Sequence, residues 1–245
     1  MEIQKEDLIR RRETLIKHII GEMKKDADDA SCQNLTARFR IWLSWEEFLA
    51  IFTQCANYIL RKRGLKTEFV IDEINKPVII QLWFYLIYDN RFEGNLDKGI
   101  LLHGDVGVGK TLLLESFVYL QNRLWNYHKT DDGRRYQRAT FIHSTEIAGR
   151  MKSFESTRTD VDITKCPLAI DEIGREPREV LDYGNVTCPM AELVSARADK
   201  AIITHGTTNF SFKTLFSEDN YGEMIGDRMR SMFNFISLKG DSRRM

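Results

Sequence analysis

The chain has 245 residues, of which 42% are hydrophobic and 29% charged, enough apolar material for one sizeable packed domain and too much for wholesale disorder. Lys and Arg number 36 and Asp and Glu number 36, so the chain is formally neutral and any polyanion-binding surface is a local patch. The four cysteines, Cys32, Cys55, Cys166 and Cys188, include no C-x-x-C pair, which argues against a structural zinc site, and the charged start MEIQKEDLIRRRETL is unlike a signal peptide.

In chain order, Leu8, Ile9, Leu15, Ile16, Ile19, Ile20 and Met23 fall mostly at helical spacing and predict an amphipathic helix over residues 3–24, followed by a polar linker. Ser44-Trp45-Glu46-Glu47 fits a capping box that opens a second helix, whose face of Trp45, Phe48, Leu49, Phe52, Cys55, Ala56, Ile59 and Leu60 reads as core packing, with partner docking as the alternative. Its end falls at Arg61-Lys62-Arg63-Gly64. From Thr67 the pattern changes to helices alternating with short apolar strands. A helix is expected at 75–90, with VIIQLWFYLI inside it too short to span a bilayer. A strand follows at Lys98–His103, then a helix Thr111–Tyr127, a strand Ala139–His143 and a helix Thr145–Phe154. Further strands are expected at Cys166–Ile170, Ala201–Thr204 and Phe235–Leu238, with a helix Pro189–Ala198 capped by Thr187. Such alternation implies a parallel sheet covered on both faces.

Between the first of these strands and the leucine-rich helix lies Gly104-Asp105-Val106-Gly107-Val108-Gly109-Lys110-Thr111, a match to G-x-x-x-x-G-K-[ST]. Glycines let the backbone curl its N–H groups toward phosphate oxygens, and the following helix, from Leu112 onward, adds its positive end. Lys110 is placed to reach the β- and γ-phosphates and Thr111 to ligate Mg²⁺. Pro167-Leu168-Ala169-Ile170-Asp171-Glu172 supplies the matching acidic strand end, with Asp171 as the second metal anchor and Glu172 placed to polarise a water. Asn209, after the strand at 201–204, is a candidate to orient that water or contact the γ-phosphate; a bare asparagine after a strand is more often only a turn former. The cofactors so implied are ATP and Mg²⁺.

Five blocks in order, KGILLHGDVGVGKT, FIHSTEIAGRMKSF, LAIDEIG, THGTTNF and IGDRMRSMF…GDSRR, resemble the AAA+ ATPases and, within them, the DnaC/DnaI-type loaders of bacterial replicative helicases, with IstB-type transposition ATPases as close relatives. The resemblance covers about residues 67–244. It implies an α/β three-layer sandwich with a parallel five-stranded sheet in the order 5-1-4-3-2, as an ATPase domain at 67–245 with little or no lid. A small helical, partner-binding region at 1–66 precedes it. It implies that Lys110 and Thr111 are the Walker A pair, Asp171 and Glu172 Walker B, and Asn209 sensor 1. Arg228 becomes an arginine finger donated in trans on self-association, and Arg244 stands at the sensor 2 position, with Arg243 the alternative. Ser144, Thr145, Arg150 and Lys152 fall near the path of single-stranded DNA. The function implied is a cytoplasmic ATPase that acts on single-stranded DNA and a replicative helicase. The alternatives are an IstB-like helper that delivers target DNA to a transposase, a P-loop small-molecule kinase, and a non-hydrolysing adaptor. The Asp171-Glu172 pair and the late arginines argue against the kinase, and the adaptor is disfavoured because no expected catalytic position is replaced.

Overall fold

A computed structural model describes residues 42–127, 138–151, 162–182 and 185–243. The helix expected at 3–24, Lys152 and Arg244 lie outside the described residues. Helix α1, Trp45–Lys62, starts as its sequence demands: the Ser44 hydroxyl accepts the Glu47 N–H at 3.2 Å, and the Glu47 carboxylate accepts the Ser44 N–H at 2.8 Å. That capping box contributes about 1 kcal/mol. Phe48, Phe52, Cys55, Ala56, Ile59 and Leu60 are buried, so the apolar face of α1 is core.

Helix α2, Lys76–Leu86, leads into strand β1, Gly99–His103, and helix α3, Lys110–Tyr127, follows the glycine loop. Helix α2 stops short of the expected residue 90: Ile87 caps it and Tyr88 takes φ +59°. Helix α1 packs along α3, with Tyr58 stacked on Tyr119 at 4.8 Å between ring centres. Trp83 donates its indole N–H to the Leu43 carbonyl at 2.9 Å, and the Asn57 side chain accepts the Phe69 N–H at 2.7 Å. Among the described residues, α1 therefore packs in the same compact unit as α2 and α3. Deleting either aromatic of the α1 core, as in Phe52→Ala, would cost about 3–5 kcal/mol.

Strand β2 is Thr140–His143, followed by a 3₁₀ turn, Ser144–Glu146, and a helical stretch at 147–151. Strand β3 is Leu168–Asp171, and a short antiparallel hairpin of β4, Val180–Asp182, and β5, Asn185–Thr187, stands apart from the main sheet. Helix α4, Pro189–Ala198, takes Cys188 as its N-cap without a side-chain bond, with Pro189 in the first turn, so Thr187 is not the cap expected from sequence. Strand β6 is Thr204–Thr208, α5 is Phe212–Leu215, α6 is Gly222–Met232 and β7 is Phe233–Ser237.

The five-stranded sheet runs β2-β3-β6-β1-β7, every neighbouring pair parallel. Counting only its members in chain order, and reading from the β7 edge, the arrangement is 5-1-4-3-2; the hairpin between the third and fourth members and the short α5 are not among the elements expected from sequence. One face is covered by α4, α6 and the stretch at 147–151, whose Ile147, Leu193, Val194 and Met229 pack on Leu101, Leu168, Ile170 and Phe233. On the other, the rings of Tyr85 in α2 and Phe117 in α3 meet His205 of β6 edge-on. Strand β6 begins three residues later than expected. Ala201 takes φ +49° and its N–H closes a turn on Ala198, so the apolar Ile202 and Ile203 precede the strand. No helix among the described residues is long and apolar enough to cross a membrane.

Candidate functional site

Strand β1 carries the chain out of the sheet at His103 and into the glycine loop. Gly104 takes φ +145°, and a Cβ there would sit 1.8 Å from the Leu238 carbonyl oxygen. Gly107 takes φ +87°, and a Cβ would meet the Ser242 hydroxyl at 2.2 Å. Both positions therefore require glycine on two counts, conformation and space. Asp105 and Val106 lie at the exposed tip and Val108 is buried beneath it; Gly109 and Leu112 flank the start of α3 at intermediate exposure. The N-terminus of α3 presents its first-turn amides to the same loop.

Lys110 is only 5% exposed, and its ammonium donates to the carbonyls of Gly104 at 2.9 Å and Asp105 at 2.6 Å. A buried ammonium held by backbone carbonyls of its own loop is poised for an anion in the same cradle. Thr111 donates its hydroxyl to Asp171 Oδ1 at 2.9 Å. Asp171 is buried at the end of β3, two strands away from β1, and the parallel register brings both residues to one end of the sheet. A hydroxyl and a carboxylate oxygen are hard donors suited to Mg²⁺, which takes few protein ligands and completes its shell with phosphate and water. The residues therefore fit the implied cofactors.

Thr207 of β6, absent from the sequence candidates, sits at the centre of the cluster. Its hydroxyl donates to the same Asp171 oxygen at 2.6 Å and accepts the Glu172 N–H at 2.9 Å. Asn209, two residues on, is exposed and makes no hydrogen bond among the described residues. The contact from β6 to the acidic strand is thus made by Thr207. The strand expected from sequence ends at Thr204, which left Thr207 outside it.

Glu172 takes φ +55°, and its carboxylate accepts from Arg175 and lies 3.1 Å from His143 Nε2. His143 pairs in register with Asp171, which is what brings the ring alongside. Burial pushes the Glu172 carboxyl up, but the hydrogen bonds and charges of Arg175 and His143 outweigh it and hold the group below the ordinary glutamate value.

Of the residues expected near DNA, Ser144 is buried and donates its hydroxyl to the Glu172 carbonyl at 2.9 Å, which leaves it no route to a phosphate outside. Thr145 is exposed, its hydroxyl 2.8 Å from His143 Nδ1, and Arg150 pairs with Glu146 one helical turn back at 3.0 Å. Arg228 lies on α6 facing α4, where its guanidinium meets Asp199 at 2.6 Å and the Ser195 carbonyl at 3.3 Å. Arg243 lies against the glycine loop. Its N–H donates to the Gly107 carbonyl at 3.0 Å, and its guanidinium pairs with Asp72 at 2.7 Å.

The folded unit is similar in structure to the DnaC helicase loader. That match has a TM-score of 0.49 at 19% identity and covers 71% of this chain and 95% of that one. The DnaI structure is similar at a TM-score of 0.46 and 22% identity, covering 73% of this chain and 88% of that one. AMPPCP-bound DnaA from Aquifex aeolicus is similar at 0.47 and 12% identity, covering 71% and 49%. No family model matches the sequence, and no curated protein matches it.

Proposed function

We propose that this chain is an ATPase of the AAA+ type that binds MgATP in the Gly104–Thr111 loop and hydrolyses it to ADP and phosphate. The observation that carries the reading is the convergence, at one end of the sheet, of a glycine cradle, a buried lysine and the Thr111–Asp171 pair at 2.9 Å. In this mechanism Lys110 leaves its loop carbonyls for the phosphates and neutralises their charge. Thr111 and Asp171 would hold the Mg²⁺, which, when bound, would offset charge on the phosphate oxygens. Glu172, kept ionised by Arg175 and His143, accepts the proton of the water that attacks the γ-phosphorus. The bond from that phosphorus to the bridging oxygen of ADP breaks. Thr207 fixes the spacing of Asp171 and Glu172.

The sequence blocks that resemble DnaC/DnaI-type loaders support the finer reading, a switch that self-associates on single-stranded DNA and acts on a ring helicase. Arg228 of one copy would complete the site of the next. An arginine supplied in trans is worth roughly 10³–10⁵ in rate. The experiment measures MgATP affinity and phosphate release by the full chain, with and without single-stranded DNA. Binding with DNA-stimulated turnover supports the reading, and no measurable MgATP affinity overturns it. Co-purification with a transposase in place of a helicase would move the partner to the IstB type.

A further inference from the structure

The turn after β3 carries Glu172 in a backbone conformation that a non-glycine residue seldom adopts, and something must hold it there. Its N-terminal side is fixed by Thr207, whose hydroxyl and carbonyl accept the N–H groups of Glu172 at 2.9 Å and Ile173 at 2.8 Å. Within the turn the Arg175 N–H donates to the Glu172 carbonyl at 3.0 Å. Gly174 takes φ +99°, and the Phe210 ring packs so closely on it that a Cβ would lie 2.6 Å from a ring carbon. The remaining side of the turn is held by Glu176. Its Oε2 accepts the Gly174 N–H at 2.9 Å, and its Oε1 accepts the hydroxyl of Tyr221, the residue at the N-cap of α6. A second link runs alongside, from the Arg178 guanidinium to the Glu218 carbonyl at 3.2 Å.

We propose that Glu176 is a positioning residue for hydrolysis, clamping the turn that carries Glu172 to the head of α6 through the Gly174 amide and the Tyr221 hydroxyl. This rests on the ATPase reading above and assigns that site a residue outside the glycine loop and the acidic pair. One carboxylate spans two segments 45 residues apart in sequence, its two oxygens each taken by a different one. Burial pushes its carboxyl above the ordinary glutamate value, against its own amide, the Gly174 amide and the charge of His143. By geometry Glu176 bridges the turn and the head of α6, whereas the Glu172 carboxyl is held below its ordinary value. The clamp acts on where Glu172 points and not on nucleotide affinity, because none of its contacts touches the glycine loop. Small misplacements of a catalytic group are enough to cost about 10²-fold in rate.

The test compares Glu176→Ala, Glu176→Gln and Tyr221→Phe in the full chain by steady-state hydrolysis, MgATP binding and amide hydrogen exchange. The expected result is a fall in kcat of about 10–100-fold in Glu176→Ala with KM and the MgATP Kd within about 2-fold. Glu176→Gln, which keeps an acceptor oxygen, recovers most of the loss. Exchange in Glu176→Ala rises together at residues 172–176 and 221–226. A kcat in Glu176→Ala within about 2-fold of the parent chain overturns the proposal. So does an equal loss of binding and turnover that Glu176→Gln does not recover. If the parent chain itself neither binds nor hydrolyses MgATP, the ATPase reading fails and exchange alone judges the clamp: a joint rise upholds it, and unchanged exchange at either segment overturns it.

Discussion

Arg228 and Asp199 form an ion pair 2.6 Å long between α6 and the end of α4, so within one chain the arginine proposed to act in trans is engaged by its own subunit. Asp199 is 66% exposed, and a pair of that kind is worth about 0–1 kcal/mol after solvent screening. Its release is therefore a small cost against the contact with a neighbour's phosphates. Arg228→Ala is expected to bind MgATP as the parent chain does and to lose DNA-stimulated turnover by about 10³-fold, read in a phosphate-release assay over a range of protein concentrations. Unchanged stimulation would remove Arg228 from the site.

Lys110→Ala should abolish measurable MgATP binding, because the ammonium is the charge inside the glycine cradle. Glu172→Gln should bind MgATP with near-parent affinity and lose about 10²–10⁴-fold in turnover, the usual range for a positioned general base. Fluorescent-nucleotide titration beside single-turnover hydrolysis separates the two variants. Weak binding by Glu172→Gln would contradict its assignment as a base.

The segment after β7 lies across the glycine loop, joined by Leu238 N–H to His103 at 2.8 Å, Arg243 N–H to Gly107 at 3.0 Å, and Arg243 to Asp72 ahead of α2. Burial pushes the Asp72 carboxyl up, but the Asn75 amide, the Arg243 guanidinium and the Ile74 amide together hold it below its ordinary value. A depressed carboxyl contributes stability that is present above its unfolded pKa, near 3.9 by peptide standards, and is lost as pH falls through the lower folded value. Hydrogen exchange at residues 238–243 should therefore stay constant from about pH 7 to 5 after correction for intrinsic rates and rise below about pH 4. Asp72→Asn should show the faster exchange at every pH, with a change in global stability of no more than about 1 kcal/mol.

Arg197 is fully buried in α4 and donates to the carbonyls of Ile163, Cys166 and Ile203 and to the Thr204 hydroxyl. Burial lowers its pKa to about 10, so it stays charged at neutral pH. Arg197→Met removes the donor from the Ile163 and Cys166 carbonyls and the Thr204 hydroxyl, while the Ile203 carbonyl keeps the Leu168 N–H, and is expected to cost about 3 kcal/mol, offset in part by the desolvation it relieves. At about 2–4 °C per kcal/mol for a unit of this size, the thermal midpoint should fall by roughly 6–12 °C. A drop of under about 2 °C would show that water replaces the guanidinium at no cost.

Much of the architecture was legible because its determinants are local. The Ser44–Glu47 box, the buried run Gly99–His103 and the apolar Leu168–Ile170 declare their conformations within a few residues. Strand β6 was not legible in the same way. Its sequence, THGTT, is polar yet every residue is buried. Distant partners satisfy it: Thr204 with Arg197, His205 with the Ile100 amide, Thr207 with Asp171 and Thr208 with the Ile173 carbonyl. A hydrophobicity pattern therefore placed the strand on the preceding Ala201–Thr204. The hairpin β4–β5 escaped for the opposite reason. Leu181 and Val186 are 72% and 60% exposed, so it has no buried face whose period a sequence would display.

By itself the sequence determined the glycine loop and its acidic partner, because glycine at positive φ, a lysine at a helix start and a carboxylate at the end of an apolar strand are requirements written into neighbouring residues. Only the tertiary structure decided which side chains meet across the sheet: Thr207 on Asp171, His143 on Glu172, Asp199 on Arg228, Asp72 on Arg243. Those contacts join residues 29 to 171 positions apart. They depend on strand register and helix packing, which sum many small terms along the whole chain and leave no mark in any one stretch of it.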